Sequence, residues 1–364
     1  MRYTNILSVI TLATLLGLIA GACARKTDNH TYDREIYTPR YATGFAIKSN
    51  ADSVTGILIS NPWQGADNVT MTYRAEQPAQ RIVAMSSTFV AMLESLGAAD
   101  RIVGVSGLGF INSPALNARR GEIADVGYDT NIDFEKIVML NPDLVLLYGV
   151  SGPNPAEEKL RELNIPYIYL GDYVEQSPLG KAEWVVAVGE IVGRREQAVE
   201  LFNSIADNYN ALRQSVADSE SKPRVMVNAP YNDVWWVPSA DNYMAQLIAD
   251  AGGDYVCGDI SGSASQSIDL EEAYMLMSEA DIWLNPGQAV TLRQLAAMTP
   301  RFTDTRPFTA GNVYNNNLKL SPGGGNDFYE SGAMHPDLVL KDLIKLFHPE
   351  ALGDYDPTFY RRLQ

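Results

Sequence analysis

The sequence predicts an α/β protein with two lobes, each built around a parallel sheet and joined by one long helix. Short apolar strands alternate with amphipathic helices over most of the chain, a pattern typical of parallel sheets. This alternation stops between residues 177 and 217, where no strand pattern occurs. One segment also occurs twice: NIDFEKIVMLNPDLVLL at 131–147 returns 136 positions later as SIDLEEAYMLMSEADIWL at 267–284. Two lobes of like design would explain that repetition.

Length and charge narrow the class of protein. A chain of 364 residues with 46% hydrophobic content can form one large or two medium domains. Its net charge of −16 argues against non-specific nucleic-acid binding, which needs a basic surface.

The N-terminus predicts a secretory signal at residues 1–23. Arg2 precedes an apolar run at 6–20, and small residues lead to Cys23. The segment Ala-Gly-Ala-Cys resembles a bacterial lipoprotein processing site, so Cys23 is the predicted lipidation site. The alternative is an ordinary cleaved signal with an incidental cysteine. A lipid would anchor the protein to a membrane face, predicted to be periplasmic, without spanning the membrane.

Residues 24–78 are predicted to form a tether followed by a small β addition. Residues 24–40 are polar and lack a period, as in a linker. Three short apolar or alternating runs follow within 41–76, separated by Asn, Asp and Gly, and they suggest a hairpin or edge strands.

The first α/β lobe is assigned to residues 79–193. Ser86 and Ser87 are placed to cap a helix whose apolar residues recur at helical spacing. Further helices are predicted from Asp133 and at 156–164. Predicted strands are RIVAM (81–85), RIVGVSG (101–107), IADVG (123–127), DLVLLYG (143–149) and IPYIYLG (165–171).

Residues 194–220 are predicted to form the helix between the lobes. Apolar residues recur at helical spacing over 195–218 with no Gly or Pro within the stretch, which gives a helix of roughly 36 Å at 1.5 Å per residue. The α/β alternation then resumes in a second lobe at 221–348, and 349–364 is assigned as a C-terminal tail.

The repeated segment begins a helix in each lobe. Asp133 and Asp269 occupy N-cap positions, and Glu135 and Glu271 fall in the first turn, where the helix dipole favours a carboxylate. Capping explains local stability but not why both lobes carry the same segment.

These motifs together resemble one family. The residues concerned are RIVAMSSTFVAMLESLGAADRIVGVSG, IDFEKIVMLNPDLVLL with Tyr148, the linking helix, and IDLEEAYMLMSEADIWL. Over roughly 79–348 the chain resembles the periplasmic substrate-binding proteins of ABC importers for ferric siderophores, haem and cobalamin. The resemblance implies two Rossmann-like lobes, a rigid joining helix and a ligand cleft between the lobes.

The resemblance also implies a role for the repeated glutamates. Family members present one Glu from each lobe to basic pockets on the two permease subunits, and the matching positions are Glu135 and Glu271. A two-fold symmetric permease with its ATPase is therefore the expected partner of a monomeric binding protein. The alternative is that both are helix-dipole carboxylates left from an ancient repeat. Glu157, Glu158 and Glu272 are the fallback docking residues.

The ligand is expected beyond the carboxyl ends of the strands, as in other open α/β sheets. The loops there are rich in Gly, Ser, Asn and aromatic residues, which suits a large flat chelate. Trp235 and Trp236 would point to opposite faces of a strand, so at least one is expected in the cleft. The Gly-rich segment 321–332 either lines the cleft or only connects elements. The cleft candidates are Ser87, Tyr128, Tyr148, Tyr231, Trp235, Trp236, Asn285 and Tyr329.

The predicted ligand is an iron chelate (a ferric siderophore or haem) or cobalamin, with no covalent cofactor except the lipid on Cys23. Three scattered histidines cannot form a site for a bare transition metal. No nucleophile-base set, phosphate loop or acid pair indicates catalysis, so the chain is predicted not to be an enzyme. Two alternatives stay open: a chelate-processing enzyme on the same scaffold, and a scavenger or sensor without a permease.

Overall fold

The computed structural model describes residues 31–128 and 131–364. The predicted signal peptide and Cys23 lie outside the described residues. No helix in the described part of the chain is long and apolar enough to cross a membrane.

The first lobe has the predicted alternation of strands and helices. Its strands are β5 (Ile82–Ala84), β6 (Ile102–Val105), β7 (Ala124–Asp125), β8 (Leu144–Leu147) and β9 (Tyr167–Tyr169). Its helices are α1 (Ser87–Ser95), α2 (Pro114–Ala118), α3 (Phe134–Leu140), α4 (Ala156–Glu162) and α5 (Pro178–Ile191). The strands form one parallel sheet in the order β7-β6-β5-β8-β9.

The second lobe also has alternating strands and helices, and it contains an additional antiparallel sheet. Its strands are β10 (Arg224–Val227), β11 (Pro230–Tyr231), β12 (Val234–Pro238), β13 (Asp254–Tyr255), β14 (Ser265–Ile268), β15 (Ile282–Leu284), β16 (Val313–Asn315) and β17 (Arg361–Arg362). Its helices are α7 (Tyr243–Asp250), α8 (Leu270–Glu279), α9 (Leu292–Met298), α10 (Arg306–Thr309), α11 (Ser331–Met334) and α12 (Pro336–Phe347). The main sheet has the order β13-β10-β15-β16-β17, and β11-β12-β14 form a separate antiparallel sheet.

The joining helix is α6 (Arg195–Ser215), which lies within the predicted range. Its 21 residues span about 31 Å at 1.5 Å per residue. The helix packs on α5 of the first lobe and on α12 of the second. It buries Ala198, Phe202, Ile205, Ala206 and Tyr209. One helix face thus contributes to the cores of both lobes.

The predicted N-terminal β addition is a four-stranded antiparallel sheet. Its strands are β1 (Arg34–Tyr37), β2 (Phe45–Ser49), β3 (Thr55–Ser60) and β4 (Thr70–Ala75). The first of these lies inside the segment predicted as a tether, so that prediction is wrong for β1. Polar residues are typical of a linker, but here they belong to an edge strand whose side chains are largely exposed.

A buried carboxylate attaches this sheet to the first lobe. Glu183 of α5 accepts hydrogen bonds from Tyr37 Oη at 2.6 Å and from the backbone N–H groups of Arg40, Tyr41 and Ala42 at 2.7–2.8 Å. A buried carboxylate needs such donors, because an unpaired buried charge is strongly unfavourable. The extension is therefore an integral part of the first lobe.

The C-terminal residues form part of the second lobe. Residues 349–364 were predicted as a tail, but β17 pairs antiparallel with β16 and extends the main sheet. Asp342 of α12 fixes the segment that precedes β17, because its carboxylate accepts hydrogen bonds from the backbone N–H groups of Thr358 and Phe359. The tail prediction is wrong because a two-residue strand gives no periodic signal in sequence.

Candidate functional site

A cavity of about 640 Å³ lies between the lobes. In the first lobe it is lined by residues that follow the carboxyl ends of the parallel strands, including Ser86 after β5, Ser106 after β6 and Tyr148 after β8. In the second lobe, Asn228 follows β10 and Asn285 follows β15. Its size is within the range of small-molecule sites, and its position is the one where α/β sheets bind ligands.

The structure brings five of the eight cleft candidates together. The predicted residues that line the cavity are Ser87, Tyr128, Tyr148, Asn285 and Tyr329. The second half of the Gly-rich segment also lines it, through Phe328, Tyr329 and Gly332.

The other three candidates do not line the cavity, and Trp235 requires a correction. Its side chain is completely buried, packs edge-to-face on Phe302 at 4.9 Å and donates from Nε1 to the Val227 carbonyl at 2.9 Å. Trp236 and Tyr231 are exposed on the β11-β12 ribbon outside the cavity lining. The prediction that neighbouring tryptophans face opposite ways is confirmed.

The cavity wall is mostly neutral. Its lining combines tyrosine rings, hydroxyl groups and side-chain amides with apolar side chains, and among the described residues no arginine and no histidine lines it. The charged side chains in the lining are Lys181, Asp172 and Glu175. A ligand with several negative charges would therefore lack matching cations.

The charged residues of the wall are engaged within the protein. Lys181 Nζ donates to the Asp172 carbonyl at 2.6 Å and lies 4.9 Å from the centre of the Tyr243 ring. Burial raises the pKa of the Asp172 carboxyl and lowers that of the Lys181 ammonium group. Glu175 accepts hydrogen bonds from the backbone N–H of Gly44 and from Trp184 Nε1, both at 3.0 Å. These groups hold the wall in place and leave little free charge in the cavity.

A direct contact joins the lobes beside the cavity. We call residues 321–330 the strap, because they reach from the second lobe to residues 109–113 of the first. Ser321 Oγ donates to the Gly109 carbonyl at 2.9 Å, and Gly323 N donates to the same oxygen at 3.1 Å. Asn112 Nδ2 donates to the Gly325 carbonyl at 3.1 Å.

Glycine permits the close approach of the strap. A Cβ atom on Gly325 would overlap the carbonyl oxygen of Phe110, and one on Gly323 would overlap that of Gly109. The two backbones therefore touch in a way that any larger residue would prevent.

Glu330, the last residue of the strap, binds the strap to the first lobe. The residue is 2% exposed, and its carboxylate accepts from the backbone N–H groups of Asn112 and Ser113, both at 2.8 Å. These N–H groups precede α2, so a side chain of one lobe satisfies donors at a helix start of the other.

The strap should respond to pH through Glu330. Burial raises the pKa of its carboxyl from the ordinary 4.5 to about 7, although hydrogen bonds from Asn112 and Ser113 act in the opposite direction. The closed structure thus binds the proton more tightly than an open or unfolded chain.

The stability that Glu330 contributes should therefore be fully present below about pH 4.5 and be lost as pH rises through about 7. The corresponding change in the free energy of unfolding is up to about 3 kcal/mol. Denaturant unfolding at several pH values measures it, and Glu330→Gln should flatten this part of the profile. An unchanged profile in that variant would assign the pH dependence to other groups.

Sequence reasoning missed Glu330, Lys181 and Tyr243. Lys181 and Tyr243 lie on α5 and α7 rather than on the strand-end loops, where ligand residues are predicted. The lysine is nevertheless visible in the sequence as the single cation in the largely apolar stretch PLGKAEWVVAVGEI. Glu330 had no sequence signal, because its partners lie more than 200 residues away.

The repeated helices α3 and α8 begin in the same way. Asp133 Oδ1 accepts from Lys136 N at 3.0 Å, and Asp269 Oδ1 accepts from Glu272 N at 2.8 Å, so both predicted N-caps are present. Glu135 and Glu271 are exposed in the first turns. The fallback residue Glu157 is instead bonded to Tyr167, Tyr169 and Arg161.

Two α/β lobes, one joining helix and a cavity between the lobes define a bilobal binding protein. The chain belongs to the periplasmic binding protein family, whose model matches residues 82–314. It is thus a periplasmic binding protein of the ABC transporter type, a class of substrate-binding transport proteins and not of enzymes.

Curated relatives cover most of the chain at low identity. An uncharacterised lipoprotein of Methanocaldococcus jannaschii is 26% identical over 294 residues, which is 78% of this chain and 68% of the relative. The uncharacterised ABC transporter substrate-binding lipoprotein YvrC of Bacillus subtilis is 22% identical over 231 residues, which is 62% of this chain and 67% of the relative.

Solved structures share the fold. A periplasmic haem-binding protein from Pseudomonas aeruginosa has a TM-score of 0.60 at 18% identity, covering 79% of this chain and 98% of the other. The periplasmic vitamin B12-binding protein BtuF of Vibrio cholerae has a TM-score of 0.55 at 15% identity, covering 76% and 99%. The two-lobed α/β class predicted from sequence is confirmed.

Proposed function

We propose that the protein captures a metal chelate in the interlobe cavity and delivers it to an ABC permease, with a corrinoid such as cobalamin as the favoured cargo. The observation that carries this proposal is the neutral, aromatic and amide-rich cavity wall. A corrinoid is large, carries amide groups around its ring and offers apolar faces. Tyrosine rings and side-chain amides match both features.

The same wall argues against ferric catecholates. These chelates are strongly anionic and are best recognised by several Arg residues. The single lysine in the described lining is held by the Asp172 carbonyl, so it cannot replace an arginine cluster.

Haem is the second candidate. Tyrosines line the cavity from both lobes, including Tyr128, Tyr148 and Tyr329, and a phenolate oxygen can serve as an axial ligand to haem iron. The similarity to a haem-binding protein of known structure supports this candidate. The two haem propionates would need cations, which the wall offers sparsely.

Docking is proposed to use Glu135 and Glu271. Both carboxylates are exposed on repeated helices, one per lobe. A permease with two like subunits would meet one acidic group from each lobe. Lipidation of Cys23 is proposed to anchor the protein to the membrane, so that diffusion is confined to the surface where the permease lies.

Calorimetric titration of the chain from residue 24 onward tests the cargo. Cyanocobalamin, haemin and a ferric tricatecholate are titrated separately. We expect saturable 1:1 binding of cyanocobalamin at micromolar concentration or below, and no binding of the tricatecholate. Preferential binding of haemin would select the second candidate, and preferential binding of the tricatecholate would contradict the argument from the neutral wall.

A further inference from the structure

The repeated helices share a second exposed feature. Met139 of α3 is 83% exposed, and Met275 of α8 is 63% exposed. Each follows the glutamate of its helix by four residues, and the two methionines are themselves 136 positions apart. Residues four apart lie on the same face of a helix, so each glutamate and its methionine are neighbours.

Local packing does not require a methionine at either position. The buried residue of α3 is Ile137 and those of α8 are Ala273 and Met277, while Met139 and Met275 are not among the residues that pack against the core. One exposed apolar side chain is ordinary on a protein surface. The same side chain at the same position of both copies, beside the same acidic residue, indicates a shared surface.

We propose that Glu135 with Met139, and Glu271 with Met275, form two equivalent docking surfaces for the two membrane subunits of the importer. This inference rests on the proposed function and adds an apolar contact to the acidic one. Each subunit is expected to offer a cation for the glutamate and an apolar recess for the methionine. The unbranched, polarizable side chain of methionine fits such a recess with little geometric demand.

The electrostatic state of the two surfaces differs in the free protein. Arg301 Nη2 lies 2.9 Å from Glu271 Oε1, and both side chains are exposed. No ion pair to Glu135 occurs within the described part of the chain. Exposed ion pairs contribute little stability, so a cation of the permease can replace Arg301. An exposed methionine occupies the same position on both helices, whereas the ion pair with Arg301 involves Glu271 alone of the two glutamates. The methionines are therefore the feature that the two surfaces share in the free protein.

Paired glutamine substitutions test the inference. Met139→Gln with Met275→Gln keeps side-chain length and removes the apolar end. We expect at least tenfold weaker binding to the cognate permease in nanodiscs, measured by biolayer interferometry, with unchanged cargo affinity. Met298→Gln is the matched control, because Met298 is 55% exposed and lies on α9, outside the repeated helices.

The outcomes separate this inference from the proposed function. Unchanged permease binding by the methionine variant, with loss of binding by Glu135→Gln and Glu271→Gln, overturns the apolar contact and leaves the docking proposal standing. No effect from either pair overturns both. If the methionine variant instead converts a dimer to a monomer in light scattering, the surfaces meet a second copy of this chain and the permease assignment falls.

Discussion

Replacing Glu135 and Glu271 by glutamine in one protein is expected to abolish delivery of the cargo to the permease and to leave cargo binding unchanged. Glutamine keeps the size of the side chain and removes only its charge. Removing one carboxylate that pairs with a cation of the partner weakens the binding free energy by about 2 kcal/mol, the lower end of measured effects, and removing two would weaken it by about 4 kcal/mol. That corresponds to roughly a 1000-fold loss of affinity. Cargo uptake by proteoliposomes containing the permease measures it.

Two further exposed glutamates provide matched controls. Glu272 lies beside Glu271 in the same first turn, and Glu158 is exposed on α4 of the first lobe. Glu272→Gln and Glu158→Gln should deliver cargo normally if position rather than total charge matters. Full delivery by the double variant would mean that the repeated carboxylates serve only their helices.

Gly325→Ala is expected to separate the strap from the first lobe. The added Cβ atom would overlap the carbonyl oxygen of Phe110, so the contact cannot persist unchanged. Overpacking of this kind costs about 1–3 kcal/mol. If the bound state needs the strap closed, cargo affinity should fall by about 5- to 150-fold. Small-angle scattering should show a larger radius of gyration, and stopped-flow should show faster cargo release.

Gly109→Ala is the control on the other side of the same contact. A Cβ atom at Gly109 meets no atom within 4 Å, so scattering and cargo release should match the unaltered protein. An unchanged scattering profile and release rate in Gly325→Ala would show that the strap does not hold the lobes together.

The regular part of the fold could be predicted because each element carries its own signal. Apolar runs such as 143–149 form β8, and the N-cap Asp133 begins α3 as its spacing to Glu135 indicates. The long helix was predicted from helical spacing without Gly or Pro, and it forms α6. These signals are local, so one chain suffices to detect them.

The site could be predicted only where it follows strand ends. Tyr128 and Tyr148 satisfy that rule and line the cavity. Trp235 was predicted from its position on a strand, which does not tell whether its face meets the cleft or the core. Only the tertiary structure shows that Trp283 and Phe302 provide the apolar surface that buries it. The strap depends on contacts between residues more than 200 positions apart, which no local pattern records.

Binding of the cargo in the interlobe cavity is the central proposal. Calorimetric titration of cyanocobalamin into the unaltered protein and into Ser87→Trp tests it, because Ser87 lines the cavity at the start of α1 and an indole there would occupy its space. We predict 1:1 binding by the unaltered protein and a loss of at least 100-fold in the variant, with both proteins folded by circular dichroism. Equal binding by both proteins would place the ligand elsewhere, and no binding by either would contradict the corrinoid assignment.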